Sequence, residues 1–153
     1  MTITNDDMET KIPIKRIEKV WFSQTHIHIK TDDGLEYSQP LEVFPALMEA
    51  TPEQREKYRM TSWRDSLHWP EIDEDIHISS FFEKETVNYD NEVNHLLSRF
   101  PWLDMKAFAR LIGMHWTKLA RFRYGVWTPS DEAFAKIKNG IVAIGKEISA
   151  AAL

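Results

Sequence analysis

The spacing of apolar and polar residues gives the first part of the chain a strand-like pattern. Between residues 14 and 40, apolar residues occur in short runs that are rich in β-branched and aromatic side chains, which is typical of strands. The run from His26 to Lys30 alternates cleanly, and the Asp33-Gly34 pair that follows it is a strong hairpin signal. The pattern therefore predicts an antiparallel three-stranded meander over 14–40.

From residue 41 the apolar spacing becomes helical. Four apolar residues there share one face of a predicted helix over 41–58: Val43, Phe44, Leu47 and Met48. Thr51-Pro52 marks a second helix start inside this range, because threonine caps a helix and proline suits its first position. The chain is predicted to be extended again at 66–69, and a short helix followed by a polar connection is predicted over 79–92. We therefore place a domain boundary near residue 88.

The second part of the chain has four helical patterns. We predict helices over 92–99, 105–112, 116–124 and from 130 onwards, with Asp104 and Ser130 as N-caps. Gly113 suits the positive φ of a turn between the second and third of these helices, and Gly125 ends the third. Two short helices joined by such a turn are the signature of a helix-turn-helix.

The last helix is longer than this small core needs. Its apolar stripe repeats at intervals of three and four residues: Phe134, Ile137, Ile141, Ile144 and Ile148. We expect the first half of the stripe to cover the core and the distal half to pair with a second copy of the chain. The sequence thus favours a homodimer.

The charge of the chain is unevenly distributed. Residues 1–90 carry 10 Lys+Arg and 19 Asp+Glu, whereas residues 91–153 carry 9 and 5, and the whole chain has a formal net charge of −5. An acidic part followed by a basic part indicates different partners for each. There is no apolar run long enough to span a membrane, and the first residues lack the pattern of a secretory signal. We therefore expect a cytoplasmic protein.

Some residues are candidates for chemistry in the first part. Five possible metal ligands lie within ten residues: His68, Glu71, Asp73, Asp75 and His77. His26 and His28 also share a strand face. The chain has no cysteine, which excludes a thiolate zinc site and a cysteine nucleophile. We favour the interpretation that these side chains face water or cap backbone groups, and predict no catalytic residue, no metal and no cofactor. A hydrolase or a metal-dependent enzyme built on this acidic segment is a third hypothesis.

One segment of the first part carries a resemblance. The string Leu67-His-Trp-Pro-Glu-Ile-Asp-Glu-Asp-Ile76, preceded by Pro45-Ala-Leu47 and Ala50-Thr-Pro-Glu-Gln-Arg55, resembles a small bacterial family described as a domain of unknown function. The likeness covers roughly 14–82. The resemblance implies a compact α/β fold and no established activity, and members of that family are often encoded beside small toxin–antitoxin-like partners.

The second part resembles another family. The stretch from Phe108 to Ser130, with its closing Gly125-x-x-x-Pro129-Ser130 pattern, is similar to the Cro/lambda-repressor family of helix-turn-helix domains, over about 93–148. The resemblance implies that residues 115–124 form a recognition helix for the major groove of double-stranded DNA. The expected base-reading residues are His115, Trp116, Thr117 and Arg121. The expected backbone-contacting residues are Lys118, Arg123 and Tyr124.

The sequence thus predicts an α+β protein with two domains. Residues 1–88 would form a small acidic α/β domain that binds a basic protein partner or mediates oligomerisation. Residues 89–153 would form an all-α, lambda-repressor-like helix-turn-helix domain. The favoured function is a DNA-binding transcriptional regulator, antitoxin-like, without enzymatic activity. The alternative is a protein-interaction or dimerisation module that keeps the fold without binding DNA, because Trp116 cannot read a base edge bidentately and Met105 replaces a polar phosphate contact. Exposed Trp116, Tyr124 and Trp127 would suit a protein-binding face, or would be buried against the acidic domain.

Overall fold

The computed structural model describes residues 14–153, which fold as two compact units. The first unit contains residues 14–39 and 51–84, and the second contains residues 40–50 and 85–153. The start of the predicted N-terminal domain, residues 1–13, lies outside the described residues. The apolar pattern alone groups residues 40–50 with the N-terminal domain, whereas in the structure this segment belongs to the compact unit of the C-terminal helices.

A three-stranded sheet with the order β1-β2-β3 begins the first unit. Its strands are β1 (Ile17–Phe22), β2 (His26–Thr31) and β3 (Glu36–Pro40). β1 and β2 are antiparallel, and Gly34 takes a φ of 85° in the turn between β2 and β3. The predicted meander is thus confirmed, and the alternation in β2 buries Ile27 and Ile29 completely.

A second antiparallel sheet has the order β4-β5-β6. Its strands are β4 (Arg59–Met60), β5 (Ser66–Trp69) and β6 (Glu74–His77). The extended segment predicted at 66–69 is confirmed as β5. β6 was not predicted, because its sequence is mostly polar and only Ile76 is buried. Ile76 lies opposite the buried Leu67, so pairing with β5 makes this segment a strand.

The prediction of helical structure over 41–58, with a second helix start at Thr51-Pro52, is only partly right. The structure has a 3-10 helix (Leu41–Val43), then α1 (Pro45–Glu49) and α2 (Pro52–Arg55). Pro45 and Pro52 each bias the residue before them away from helical backbone, and so divide the segment. Thr51 caps α2 as predicted, accepting from the backbone N–H of Gln54. The short helix predicted at the start of 79–92 is present as a single 3-10 turn (Ile78–Phe81), and an irregular connection follows it.

The predicted helices of the C-terminal part are confirmed. They are α3 (Glu92–Leu97), α4 (Met105–Leu111), α5 (Trp116–Tyr124) and α6 (Asp131–Ala152). Asp104 and Ser130 cap α4 and α6, each accepting a backbone N–H with its side chain. The core of this unit consists of Val93, Leu97, Phe108, Ala109, Leu119, Phe122, Ala133 and Ile137. In the part of the chain that the structure describes, no helix combines the length and apolar character needed to cross a membrane.

Helix α6 approaches α4 closely at one glycine. A Cβ atom added to Gly140 would lie 2.4 Å from Cγ2 of Ile112 and 2.8 Å from the Phe108 ring, whereas one added to Gly145 would meet nothing within 4 Å. Gly140 is therefore a packing requirement of this core, and Gly145 is not.

We expect Gly140→Ala to lower the free energy of unfolding by about 1–3 kcal/mol, because the extra methyl overpacks the contact with α4. Gly145→Ala is the matched control, and should raise it by about 0.5–1 kcal/mol, because alanine favours the helix interior. Urea unfolding of the two variants and the parent chain measures both changes. Equal midpoints for the two variants would contradict this description of the core.

Candidate functional site

Helix α5, the predicted recognition helix, has an inward and an outward face. Leu119 and Phe122 are buried in the core of the second unit. Because successive residues of a helix are rotated by about 100°, Thr117, Arg121 and Tyr124 lie on the opposite side. These three are nevertheless only half-exposed. Something other than the core therefore covers the outward face.

His115, the residue before α5, is its N-cap. Nδ1 of His115 accepts a hydrogen bond from the backbone N–H of Thr117 at 3.3 Å and lies 2.7 Å from the Thr117 hydroxyl. The first of these bonds satisfies one backbone N–H at the helix start. His115 itself is exposed, as is Lys118, whose ammonium lies 5.9 Å from the centre of the Phe122 ring. These two residues present polar groups to solvent at the N-terminal end of α5.

Trp116 is half-buried and has a cation beside its ring. The ammonium of Lys106 lies 4.5 Å from the ring centre, which is a cation–π geometry. The same ammonium forms an ion pair of 3.1 Å with Glu49 of α1. Trp116 therefore packs against charged side chains of its own unit, and the sequence pattern gave no sign of the role of Lys106.

Arg121 is held on two sides within the second unit. Its Nε donates to the carbonyl oxygen of Val43 at 2.9 Å. Its guanidinium carbon lies 4.7 Å from the centre of the Trp127 ring. In this conformation the side chain expected to read a guanine is thus bound by a backbone carbonyl and stacked on an aromatic ring.

Arg123 and Tyr124 also have partners in their own unit. Arg123 donates to Oδ1 of Asn94 at 3.1 Å and to the Met105 sulfur at 3.1 Å, so Met105 contacts an arginine. The Tyr124 ring packs edge-on against Tyr89 with 5.7 Å between centres. Burial is the main cause of a raised pKa for the Tyr124 hydroxyl, and the carboxylate of Glu49 raises that pKa further.

The outward face of α5 is covered by residues 41–49, which form the 3-10 helix and α1. We call this segment the cover. Its carboxylates add to the contact made by Val43: Glu49 pairs with Lys106, and Glu42 accepts a hydrogen bond of 2.9 Å from the Tyr89 hydroxyl. Local sequence pattern shows only an apolar helical segment here, so it identifies neither this role nor these partners.

A cavity of about 300 Å³ lies where α1 meets α5. Aromatic rings and polar groups line it together: Glu49, Tyr89, Asn94, Met105, Trp116, Ala120, Arg123 and Tyr124. The packing of the cover on α5 is therefore incomplete beside Trp116 and Tyr124.

Four of the five metal-ligand candidates have mutual or local partners: His68, Glu71, Asp75 and His77. His68 hydrogen-bonds Asp75 across β5 and β6, and Glu71 pairs with Lys57 at 3.3 Å. His77 binds the Ser79 hydroxyl at 2.8 Å and faces Asp65 at 3.7 Å. Within residues 14–153, no three His, Asp or Glu side chains converge in a way that could hold a metal ion.

His26 and His28 lie on the strand face predicted for them. Their ring centres are 6.0 Å apart, and His28 stacks on Trp21 with 5.3 Å between ring centres. Burial of the His28 ring lowers its pKa, and the neighbouring His26 lowers that pKa further. This pairing gives the face an aromatic rather than a chelating arrangement.

The C-terminal end of α5 depends on Gly125. This residue has a φ of 73°, and a Cβ atom added to it would lie 1.9 Å from the carbonyl oxygen of Asn88. The backbone N–H of Asn88 in turn donates to the carbonyl oxygen of Tyr124 at 2.9 Å. The chain entering α3 is therefore fixed against the end of α5.

Gly113 also has a positive φ, but an added Cβ atom would meet nothing there. We therefore expect Gly113→Ala to lower the free energy of unfolding by about 1–2 kcal/mol, from conformational strain alone. Gly125→Ala should lower it by clearly more, because it adds a backbone collision to the same conformational strain. Thermal and urea unfolding compare the two variants. The prediction fails if Gly125→Ala is the milder change.

Comparison with known protein families gives a match to the first part of the chain. Residues 17–87, slightly less than half of the chain, match the sequence profile of a family described as "Protein of unknown function (DUF2442)". No curated protein and no solved structure matches the chain. The cover lies within the matched range and α5 lies outside it. Residues 17–87 are thus similar to a family whose function is unknown.

Proposed function

We propose that this protein is a DNA-binding regulator that uses α4 and α5 as a helix-turn-helix. The observation that carries the proposal is the geometry of this pair. Four residues connect the two helices, Gly113 takes the positive φ of the turn, and Ala109 and Leu119 meet in one core. Such a pair holds the N-terminal turn of its second helix where it can enter the major groove.

The proposal gives different roles to the seven predicted residues. His115 and Lys118 are exposed, and would meet the duplex first. Thr117 and Arg121 lie on the outward face, where a threonine methyl can contact thymine and a guanidinium can read guanine. Trp116, Arg123 and Tyr124 would shape this surface. The cations supply affinity that falls with salt concentration.

In this proposal the protein is an antitoxin-like, cytoplasmic regulator that binds DNA as a homodimer and carries out no reaction. Two copies would contact two half-sites. The distal part of α6 supports a dimer, because Val142 and Ile148 remain 55% and 52% exposed. The first unit, with its excess of carboxylates, would bind a basic protein partner.

A second candidate function is a protein-interaction module that keeps this helical arrangement without binding DNA. The packing of the cover on α5 favours it, because the outward face already accommodates a peptide segment whose Val43 carbonyl accepts from Arg121. Binding to duplex DNA separates the two functions.

Lys118→Ala provides the cleanest test of DNA binding, because Lys118 is exposed whereas Arg121 also binds Val43. Fluorescence anisotropy with random-sequence duplex DNA should show affinity that falls steeply between about 50 and 200 mM salt. Lys118→Ala should weaken binding and reduce the salt slope by about 1. Lys146→Ala removes the same charge from the distal part of α6, and should bind like the parent chain. Absence of binding at the lowest salt would refute the proposed function and favour the interaction module.

Ile148→Lys tests the homodimer. A lysine at this exposed apolar position should shift the chain from dimer to monomer in sedimentation equilibrium, because burying its charge in a helix pair is unfavourable. Ala143→Lys is the matched control, since Ala143 is exposed on another side of α6 and should leave the dimer intact. A monomeric parent chain would exclude this interface.

A further inference from the structure

We infer that the cover, residues 41–49, is an autoinhibitory element that must leave α5 before the helix can dock on DNA. This inference rests on the proposed function and concerns the regulation of the same surface. The cover and α5 belong to one compact unit, and their contacts are direct.

The cover occupies the side of α5 on which a DNA duplex would have to lie. The major groove of B-DNA is about 12 Å wide and a helix with its side chains is about 10–12 Å across, so the groove admits one helix. The 3-10 helix and α1 of the cover both pack on α5, on the side opposite Leu119 and Phe122. A duplex and the cover therefore compete for the same side of α5.

Hydrogen bonding gives the second argument. Arg121 is the predicted guanine-reading side chain, and its Nε donates to the carbonyl oxygen of Val43 at 2.9 Å. Reading guanine bidentately requires the fork of guanidinium N–H groups to point into the groove. The carbonyl oxygen of Val43 thus occupies a donor of the side chain that would provide specificity.

Charge gives the third argument. Residues 85–153 carry 9 Lys+Arg and 7 Asp+Glu, and the cover adds Glu42 and Glu49, which brings the total to zero. Glu49 pairs with Lys106 at 3.1 Å, next to Trp116. A carboxylate on the cover therefore neutralises a cation that could contact a phosphate.

The ion pair between Glu49 of the cover and Lys106 of α4 can be removed without disturbing the core. Glu49 and Lys106 keep 47% and 49% of their side-chain surface exposed, and an ion pair of this kind contributes little to stability. Substitution of Glu49 should therefore shift the balance between covered and free α5 while the unit stays folded.

We would measure the affinity of the full-length chain for random-sequence duplex DNA at low salt by fluorescence anisotropy. Glu49→Gln should bind about two- to fivefold more tightly than Glu53→Gln, a range that corresponds to the loss of one exposed ion pair. Glu53→Gln is the matched control, because it changes the net charge equally from an exposed position on α2, in the other unit. Unchanged thermal unfolding would show that both variants stay folded.

Hydrogen exchange on the parent chain provides an independent readout. The backbone amides of Phe44, Leu47 and Met48 are hydrogen-bonded within the cover, and DNA binding should accelerate exchange across this segment as it leaves α5. DNA binding with unchanged exchange, or equal affinities of the Glu49→Gln and Glu53→Gln variants, would overturn the inference and leave the proposed function standing. If no variant binds DNA, the proposed function is refuted and the inference falls with it.

Discussion

The second unit depends on one helix being packed on both sides. On its inner side α5 places Leu119 and Phe122 in the core, and on its outer side Arg121 donates to the carbonyl oxygen of Val43 in the cover. A helix of nine residues has little stability alone. Its position is therefore set by these two contacts together with the αL cap at Gly125, which fixes its end against Asn88.

The polar side chains of α5 form two groups, one exposed and one bound to neighbouring atoms of the same unit. His115 and Lys118 lie at the exposed end and make local contacts, whereas Arg121 and Arg123 are bound to a carbonyl, an amide oxygen and a thioether. Neutral acceptors hold an arginine less strongly than a carboxylate or a phosphate does. A phosphate would therefore be a stronger acceptor than the Val43 carbonyl, the Asn94 amide oxygen or the Met105 sulfur.

Local signals predicted the C-terminal helices well. Asp104 and Ser130 accept backbone N–H groups at helix starts, and Gly113 and Gly125 take positive φ at helix ends. Each signal acts within a few residues, so the sequence around it is sufficient. The prediction for 41–58 was weaker and β6 was missed because the decisive contacts lie further along the chain: Trp69 donates to the carbonyl oxygen of Arg55, and Ile76 pairs with Leu67.

The sequence by itself determined which residues of the C-terminal part form helices, which face of each helix is apolar, and which cations lie on α5. Those properties follow from periodicity and capping, which involve neighbours along the chain. Only the tertiary structure decided that residues 41–49 lie on the outward face of α5. The apolar pattern of this segment predicts that it is buried, but it does not predict which surface it packs against. The partner of Arg121, a carbonyl oxygen 78 positions away in the sequence, could come only from the folded chain.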